Sequence, residues 1–169
     1  MKNLWTPWRM THGCGPKNAD NSGCPFDQAD DLPFHKESLT LFRDPLVVVI
    51  LNRFPYANGH LLVAPSRHVG DITEIDGQEQ RVIMKMLENS VIILREHLKP
   101  AGFNIGLNLG EAAGAGLPGH LHFHIVPRWE GDHNFMTVLA DVRTIPQHIE
   151  ETFDLLLPPF QALLKGLTC

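Results

Sequence analysis

Apolar residues cluster along this chain in short runs that are typical of strands. Residues 46–51 (LVVVIL) and 61–64 (LLVA) are rich in β-branched and aliphatic side chains, and each run is long enough for one strand. Asn58 and Gly59 stand between the runs and form a strong turn sequence, so the two strands are expected to pair as a hairpin. Residues 103–109 and 120–126 predict two further strands.

A different spacing, in which apolar residues recur every three or four positions, predicts one long helix. The residues that share this helical face are Val82, Ile83, Met86, Leu87, Val91, Leu94 and Leu98. Asp76 followed by Glu79 matches a capping box and predicts where the helix begins. Pro100 and Gly102 predict its end.

The C-terminal region predicts a second helix. It is expected to begin after Pro146, to bury Ile149, Phe153 and Leu156, and to end at the Pro158-Pro159 pair. Strands, a long helix and more strands together predict an α+β domain with an antiparallel sheet. Residues 1–36 are expected to form an N-terminal extension with a mobile loop at 11–23, and residues 37–169 a single folded domain.

Composition narrows the classes of function. With 169 residues and 43% apolar content the chain fits one compact domain, and no apolar run reaches the roughly 18–20 residues that cross a bilayer. The net charge of −5 argues against a general nucleic-acid binder but allows a small phosphorylated ligand. Three distant cysteines and an N-terminus unlike a signal peptide predict a cytoplasmic protein.

The run His120-Leu121-His122-Phe123-His124 is the strongest candidate for chemistry. Alternate residues of a strand lie about 6.6–7 Å apart on the same face, so the three imidazoles are expected to share one face. Leu121, Phe123 and Ile125 are then expected to point into the core. Three titratable rings on one face are more than a structural role requires, which leaves two chemistries: a catalytic zinc site, or an imidazole that attacks phosphorus.

The residues around the three histidines favour phosphorus chemistry. Gly114, Ala115 and Gly116 lie just upstream, and small residues let backbone N–H groups approach an oxyanion closely. A zinc hydrolase more typically adds a carboxylate beside its histidines, and none lies within the motif. A zinc enzyme that uses the three histidines as ligands remains an alternative.

Two segments give the chain a resemblance to a known family. HLHFHIVPRW (residues 120–129) and LNRFPYANGHLLVAP (residues 51–65), with Asn108 between them, resemble the histidine triad (HIT) superfamily of nucleotidyl transferases and hydrolases over roughly residues 40–136. The continuation at 127–136, the loop at 108–116 and the opening at 4–10 are similar to the diadenosine-tetraphosphate phosphorylase branch. His124 stands where hexose-phosphate uridylyltransferases carry glutamine, which argues against those enzymes.

The resemblance implies a role for each histidine. His122 would attack the α-phosphorus of a nucleotide and form a nucleotidyl-histidine intermediate. His124 would contact the phosphate and assist the leaving group, while His120 and His60 would orient and polarise the nucleophile. No catalytic metal is required for this mechanism.

The resemblance also implies residues that bind the nucleotide. These are Asn52 near the ribose, Asn108 on the phosphate side, the loop residues Gly114, Ala115 and Gly116 around the α-phosphate, and Trp129 in the pocket for substrate or acceptor. The substrate implied is a dinucleoside polyphosphate, with phosphate as the acceptor, or water in a hydrolase. A nucleoside phosphoramidate hydrolase and a nucleotide-binding sensor with little turnover are the alternatives, and the family implies a homodimer.

Some members of the family hold a structural zinc. They use a Cys-x-x-Cys pair, a later histidine and the first histidine of the triad. Cys24 and Asp27 have that spacing here, with aspartate in place of the second cysteine, and His68 and His120 stand at the other two positions. Such a Cys, Asp, His, His set is acceptable chemistry for zinc. The alternative is that Cys24 is a small buried apolar residue and Asp27 a turn residue.

Overall fold

Five strands form one antiparallel sheet in the computed structural model, which describes residues 24–27, 34–132 and 148–166. The strands are β1 (Thr40–Arg43), β2 (Val47–Leu51), β3 (Leu61–Pro65), β4 (Gly102–Leu107) and β5 (Phe123–Arg128), in the spatial order β1-β2-β3-β5-β4. Within these residues the sheet is accompanied by two α-helices, α1 (Gly77–Leu98) and α2 (Ile149–Gly166), and by 3₁₀ turns at Ile72–Glu74 and Glu111–Ala113. The predicted α+β fold is confirmed. The loop at 11–23 lies outside the described residues.

The two faces of the sheet are buried by different partners. Side chains alternate along a strand, so Val47, Val49 and Leu51 of β2 join the core beneath the two helices. Val48 and Ile50 point to the opposite face, where they pack in a second apolar cluster under Phe26. This second face carries the histidines.

The predicted hairpin is confirmed. β2 and β3 pair antiparallel over five residue pairs, from Val47 opposite Pro65 to Leu51 opposite Leu61. Gly59 has a φ of +71°, and an added Cβ there would collide with the Leu98 side chain. Glycine is therefore required both by the turn and by the close approach of α1.

The predicted boundaries of α1 are also confirmed. The Asp76 side chain accepts hydrogen bonds from the backbone N–H groups of Gln78 and Glu79, and the Glu79 side chain accepts one from the Asp76 N–H. The helix ends at Leu98, and Lys99 follows in the left-handed conformation. Neither α1 nor any other helix in the described part of the chain has the length and apolar composition of a membrane-spanning segment.

The predicted end of the last helix is wrong. α2 continues through Pro158 and Pro159 to Gly166. Each proline removes a backbone donor and crowds the preceding turn, which disfavours a helix interior. The continuation places Phe160 fully inside the core, and Leu163 and Leu164 pack against the same core. Tertiary burial therefore outweighs the local cost of the two prolines.

The start of the last strand also differs from the prediction, because β5 begins at Phe123 rather than at His120. The N–H of His120 donates to the Leu117 carbonyl, and the N–H of Leu121 donates to the Val69 carbonyl. These bonds hold the segment before Phe123 to loops instead of to a neighbouring strand. Leu121 and Ile125 are nevertheless buried in the core, as the predicted alternation requires.

Candidate active site

His122 has a fixed tautomer in this fold. Its Nδ1 lies 2.8 Å from the backbone oxygen of His120. A carbonyl can only accept, so Nδ1–H is the donor and the lone pair of the neutral ring is on Nε2. Burial lowers the pKa of His122, and the bond to the His120 carbonyl partly opposes this shift. The buried ring is therefore neutral near pH 7, with one nitrogen available as a nucleophile.

His60 and His124 are joined by a hydrogen bond whose donor can be assigned. The backbone N–H of Tyr56 donates to His60 Nδ1 at 3.1 Å, which makes that nitrogen an acceptor. His60 Nε2–H therefore donates to His124 Nδ1, which lies 3.0 Å away. It follows that the neutral His124 ring carries its proton on Nε2.

Asn52 reinforces this arrangement. Its Oδ1 accepts from the Phe54 N–H at 3.0 Å, so its Nδ2 is the group that faces His60 Nδ1, at 3.2 Å. The amide therefore supplies a second donor to the same nitrogen. Asn52, predicted near the ribose, thus also fixes the tautomer of His60.

The rings of His122 and His124 are direct neighbours. Their centroids lie 5.0 Å apart with the planes at 65°, and the Tyr56 ring stacks on His124 at 6.1 Å. Burial, followed by the proximity of His122, lowers the pKa of His124 to about 4. His124 is therefore an uncharged hydrogen-bond donor beside the His122 ring.

His120 faces away from this pair. Its Nε2 lies 2.9 Å from the Pro65 carbonyl and donates to it, so Nδ1 carries the lone pair. That nitrogen lies 3.2 Å from Cys24 Sγ and 3.2 Å from Asp27 Oδ1. The structure thus divides the three histidines: His120 supports His122 through its backbone oxygen, while its ring belongs to another group of side chains.

The four side chains predicted as zinc ligands come together. One donor atom from each of Cys24, Asp27, His68 and His120 lies within 4.8 Å of the others. Zinc bonds of about 2.0–2.3 Å in a tetrahedron place ligand atoms about 3.3–3.8 Å apart. The 3.2 Å distances from His120 Nδ1 to Cys24 Sγ and to Asp27 Oδ1 are close to this. The Pro65 carbonyl fixes His120 in the tautomer that a metal needs. The donor set fits a zinc ion.

The predicted phosphate loop is exposed and turns tightly. Gly114 has a φ of +88° and closes the 3₁₀ turn, and Asn108 Nδ2 lies 3.5 Å from the Gly114 carbonyl. The N–H of Ala115 donates to the Gly110 carbonyl at 3.3 Å, and Gly116 lies on the surface. A phosphate held by the Ala115 amide would have to replace that bond, so the cradle stays a prediction.

A groove of about 700 Å³ opens beside His124. Asn108 and Trp129 line it, whereas His120 and His122 are not among its lining residues. The predicted binding roles of Asn108 and Trp129 stay predictions. The other side chains and backbone groups along it are Tyr56, Ala57, Asn58, Asn104, Ile105, Gly106, Leu107, Val126, Arg128, Glu130, Gly131 and Asp132. The groove therefore continues the site past His124, on the side away from His120.

Two aromatic residues of the site were missed by sequence reasoning. Tyr56 supplies the N–H that sets the tautomer of His60, and the fully buried Phe26 packs 4.8 Å from the His120 ring and 5.4 Å from the His122 ring. Phe26 lies between Cys24 and Asp27 in the sequence, so its position beside two candidate ligands was an available clue. Nothing in the sequence shows what the Tyr56 backbone contacts.

Comparison with known proteins identifies the family. A model of the HIT domain matches residues 34–131, which is more than half of the chain. The chain belongs to the HIT family. An AP-4-A phosphorylase of Mycobacterium tuberculosis is 36% identical to this HIT protein over 162 residues, covering 92% of this chain and 83% of the relative. The predicted resemblance to an enzyme of this family is confirmed.

Solved HIT structures share the fold. A zinc-bound histidine triad family protein from Mycobacterium smegmatis superposes with a TM-score of 0.60 and 29% identity, over 76% of this chain and 87% of that one. A hypothetical histidine triad nucleotide-binding protein from Sulfolobus tokodaii gives a TM-score of 0.58 and 26% identity, over 76% and 85%. The antiparallel sheet with its two helices is therefore a HIT fold.

Proposed function

We propose that this HIT enzyme cleaves dinucleoside polyphosphates of the diadenosine tetraphosphate type at the α-phosphate and transfers the nucleotidyl group, through His122, to inorganic phosphate. The observation that carries the proposal is the hydrogen bond from His122 Nδ1–H to the His120 carbonyl, which leaves Nε2 as the attacking atom. The similarity to an AP-4-A phosphorylase over most of the chain supports the choice of substrate and acceptor.

The first step forms a covalent intermediate. The Nε2 lone pair of His122 makes a P–N bond to the α-phosphorus, and the bond from that phosphorus to the bridging oxygen breaks. The bridging oxygen keeps the electron pair and leaves as a nucleoside triphosphate anion, which accepts a hydrogen bond from His124 Nε2–H. The imidazolium of His122 keeps its Nδ1–H bond to the His120 carbonyl, which stabilises its positive charge.

The second step releases the nucleotide. A phosphate oxygen attacks the α-phosphorus, the P–N bond breaks, and its electron pair returns to Nε2 of a neutral His122. Diadenosine tetraphosphate thus gives ATP in the first step and ADP in the second. Asn52, Asn108 and the loop Gly114, Ala115 and Gly116 are proposed to hold the nucleotide, and Trp129 to border the substrate or acceptor. A homodimer and a cytoplasmic location also belong to the proposal.

Product analysis identifies the acceptor. Purified protein is incubated with diadenosine tetraphosphate, with and without inorganic phosphate. ADP and ATP that form only when phosphate is present support the proposal. AMP and ATP in both reactions would show that water is the acceptor and would contradict the phosphorylase assignment. Binding of AMP without turnover would favour a sensor instead.

The pH dependence of kcat/KM follows from the state of His122. Attack needs the neutral ring, and burial lowers the pKa of His122 below its ordinary value of 6.5. The rate is therefore expected to stay on its plateau as the pH falls through 6.5 and to decline only at lower pH. A profile measured from about pH 4.5 to 8 checks this. An acid limb centred at or above 6.5 would contradict it.

Zinc, when bound, would tie the segment 24–27 to His120 as a structural ion. One equivalent of zinc per chain is expected, and Asp27→Asn is expected to weaken binding by about tenfold or more, because one anionic ligand is lost. Metal content and competition with a chelator measure this. Asp154→Asn is the matched control, because Asp154 is a carboxylate that pairs with Lys36 outside the group of candidate zinc ligands. Equal zinc affinity in all three proteins would exclude Asp27 as a ligand.

A further inference from the structure

The floor of the groove beside His124 is built from two paired strands. Asn104 lies opposite Val126, and Gly106 lies opposite His124, in the register of β4 and β5. These residues alternate with Phe103 and Ile125, which pack into the core beneath the helices. The groove is therefore the open face of the β4–β5 pair, and it begins directly at His124.

Gly106 keeps the groove open at the point closest to His124. An ideal Cβ built on Gly106 meets no atom within 4 Å, so neighbouring side chains do not require glycine there. Its φ is outside the left-handed region, so the backbone does not require glycine either. Glycine inside a strand weakens it and often marks the close approach of a ligand.

The far end of the groove is unlike a phosphate site. Arg128 donates to both oxygens of Asp132, at 2.6 and 2.9 Å, and to Asn104 Oδ1 at 2.7 Å. Its charge is thereby balanced within the protein. Glu130 adds a negative charge to the same rim. A polyphosphate bound there would meet two carboxylates and one neutralised guanidinium.

Apolar and amide groups form the rest of the far end. Val126 and Trp129 contribute apolar surface, and Asn58 and Asn104 contribute amides. Flat apolar surface with a few amides suits a nucleobase, which offers π faces and a hydrogen-bonding edge. His124 and Arg128 are four residues apart on β5, which sets a length of about 13 Å.

We propose that this groove binds the second nucleoside of the substrate, the one that departs with the leaving polyphosphate. The inference rests on the proposed function. It follows from the position of His124, the hydrogen-bond donor to the leaving oxygen, at the mouth of the groove. The polyphosphate runs from His124, and the uncharged nucleoside occupies the end where the protein offers no surplus positive charge among its described residues. The groove thus selects for leaving groups that carry a second nucleoside.

The substitution Gly106→Val tests this proposal, because it adds a side chain to the groove at a position where a Cβ meets no protein atom within 4 Å. Two substrates are compared: diadenosine tetraphosphate, and adenosine 5′-phosphoramidate, whose leaving group has no nucleoside. The valine is expected to lower kcat/KM for the dinucleotide by about tenfold or more and to change that for the phosphoramidate by less than about threefold. Gly77→Val, in the first turn of α1 and away from the groove, is the control, because an added Cβ there meets only the Arg81 side chain at 3.7 Å, and it should leave both values unchanged.

Three results would overturn the groove assignment. These are an unchanged rate on the dinucleotide, an equal loss on both substrates, and an equal loss in the Gly77→Val control. If the valine variant does not fold, Gly106→Ala replaces it, with a smaller loss expected in the same direction.

Failure of the proposed function is recognised separately. If the wild-type chain cleaves neither substrate, the groove assignment is tested without turnover. Calorimetry then measures the affinity for a methylene-bridged dinucleoside tetraphosphate. Affinity at least tenfold weaker in Gly106→Val supports the groove, and equal affinity overturns it.

Discussion

Replacing His122 with asparagine is expected to reduce nucleotidyl transfer by about 10⁴-fold or more, since the variant has no nucleophile. Asparagine can keep the donor that bonds the His120 carbonyl, because its Nδ2–H occupies a position similar to that of histidine Nδ1–H. The loss therefore reports on Nε2 and not on the local fold. Single-turnover assays with diadenosine tetraphosphate, together with melting curves, measure the two effects separately.

The control for His122 is a histidine outside the site. His97 lies in the last turn of α1 and is half-buried. His97→Ala is expected to retain wild-type turnover. Substantial turnover by His122→Asn would contradict nucleophilic catalysis by this residue.

Replacing Phe160 with alanine is expected to lower the free energy of unfolding by about 3–5 kcal/mol. The ring is fully buried in the core that α1 and α2 share with the sheet. It lies directly after Pro158 and Pro159, so its burial depends on the helix continuing past them. Urea denaturation with a two-state fit measures the change.

Leu155 provides the matched control for Phe160, because it lies on the same helix but is 38% exposed. Leu155→Ala is expected to cost less than about 1 kcal/mol. Equal effects of the two substitutions would mean that the helix does not bury Phe160 after the two prolines.

Elements encoded by local sequence were predictable. Asp76 and Glu79 lie three positions apart and form a capping box whatever the tertiary fold, so the start of α1 could be read directly. Asn58 and Gly59 likewise specify a turn. In both cases the determinants are a few residues along one stretch of chain.

Elements that depend on distant contacts were not predictable. α2 passes through Pro158 only because Phe160 reaches the core, and β5 starts late because the Leu121 N–H finds the Val69 carbonyl. The short strand β1 was also missed, since its four residues gain their order by pairing with β2. Local secondary-structure propensity does not specify any of these contacts with residues distant in the sequence.

For the candidate site, too, some features could be predicted from the sequence and others depend on the tertiary fold. The alternation of the triad predicted that His122 and His124 lie together, and the resemblance to zinc-binding members of the family predicted the four-group cluster that contains Cys24 and Asp27. The tautomers could not be read from the sequence, because they depend on backbone groups such as the His120 carbonyl. The groove required the register of β4 against β5, which places Gly106 opposite His124.

Trapping the intermediate tests the central claim, nucleotidyl transfer through His122, most directly. The wild-type enzyme is mixed with diadenosine tetraphosphate in the absence of phosphate, quenched in alkali to preserve a P–N bond, digested and mapped by mass spectrometry. The account predicts one adenylylated peptide, containing residues 120–124 and modified at His122, which disappears when phosphate is added before the quench. An adduct on another residue, or phosphate-dependent turnover with no adduct at any time, would contradict it.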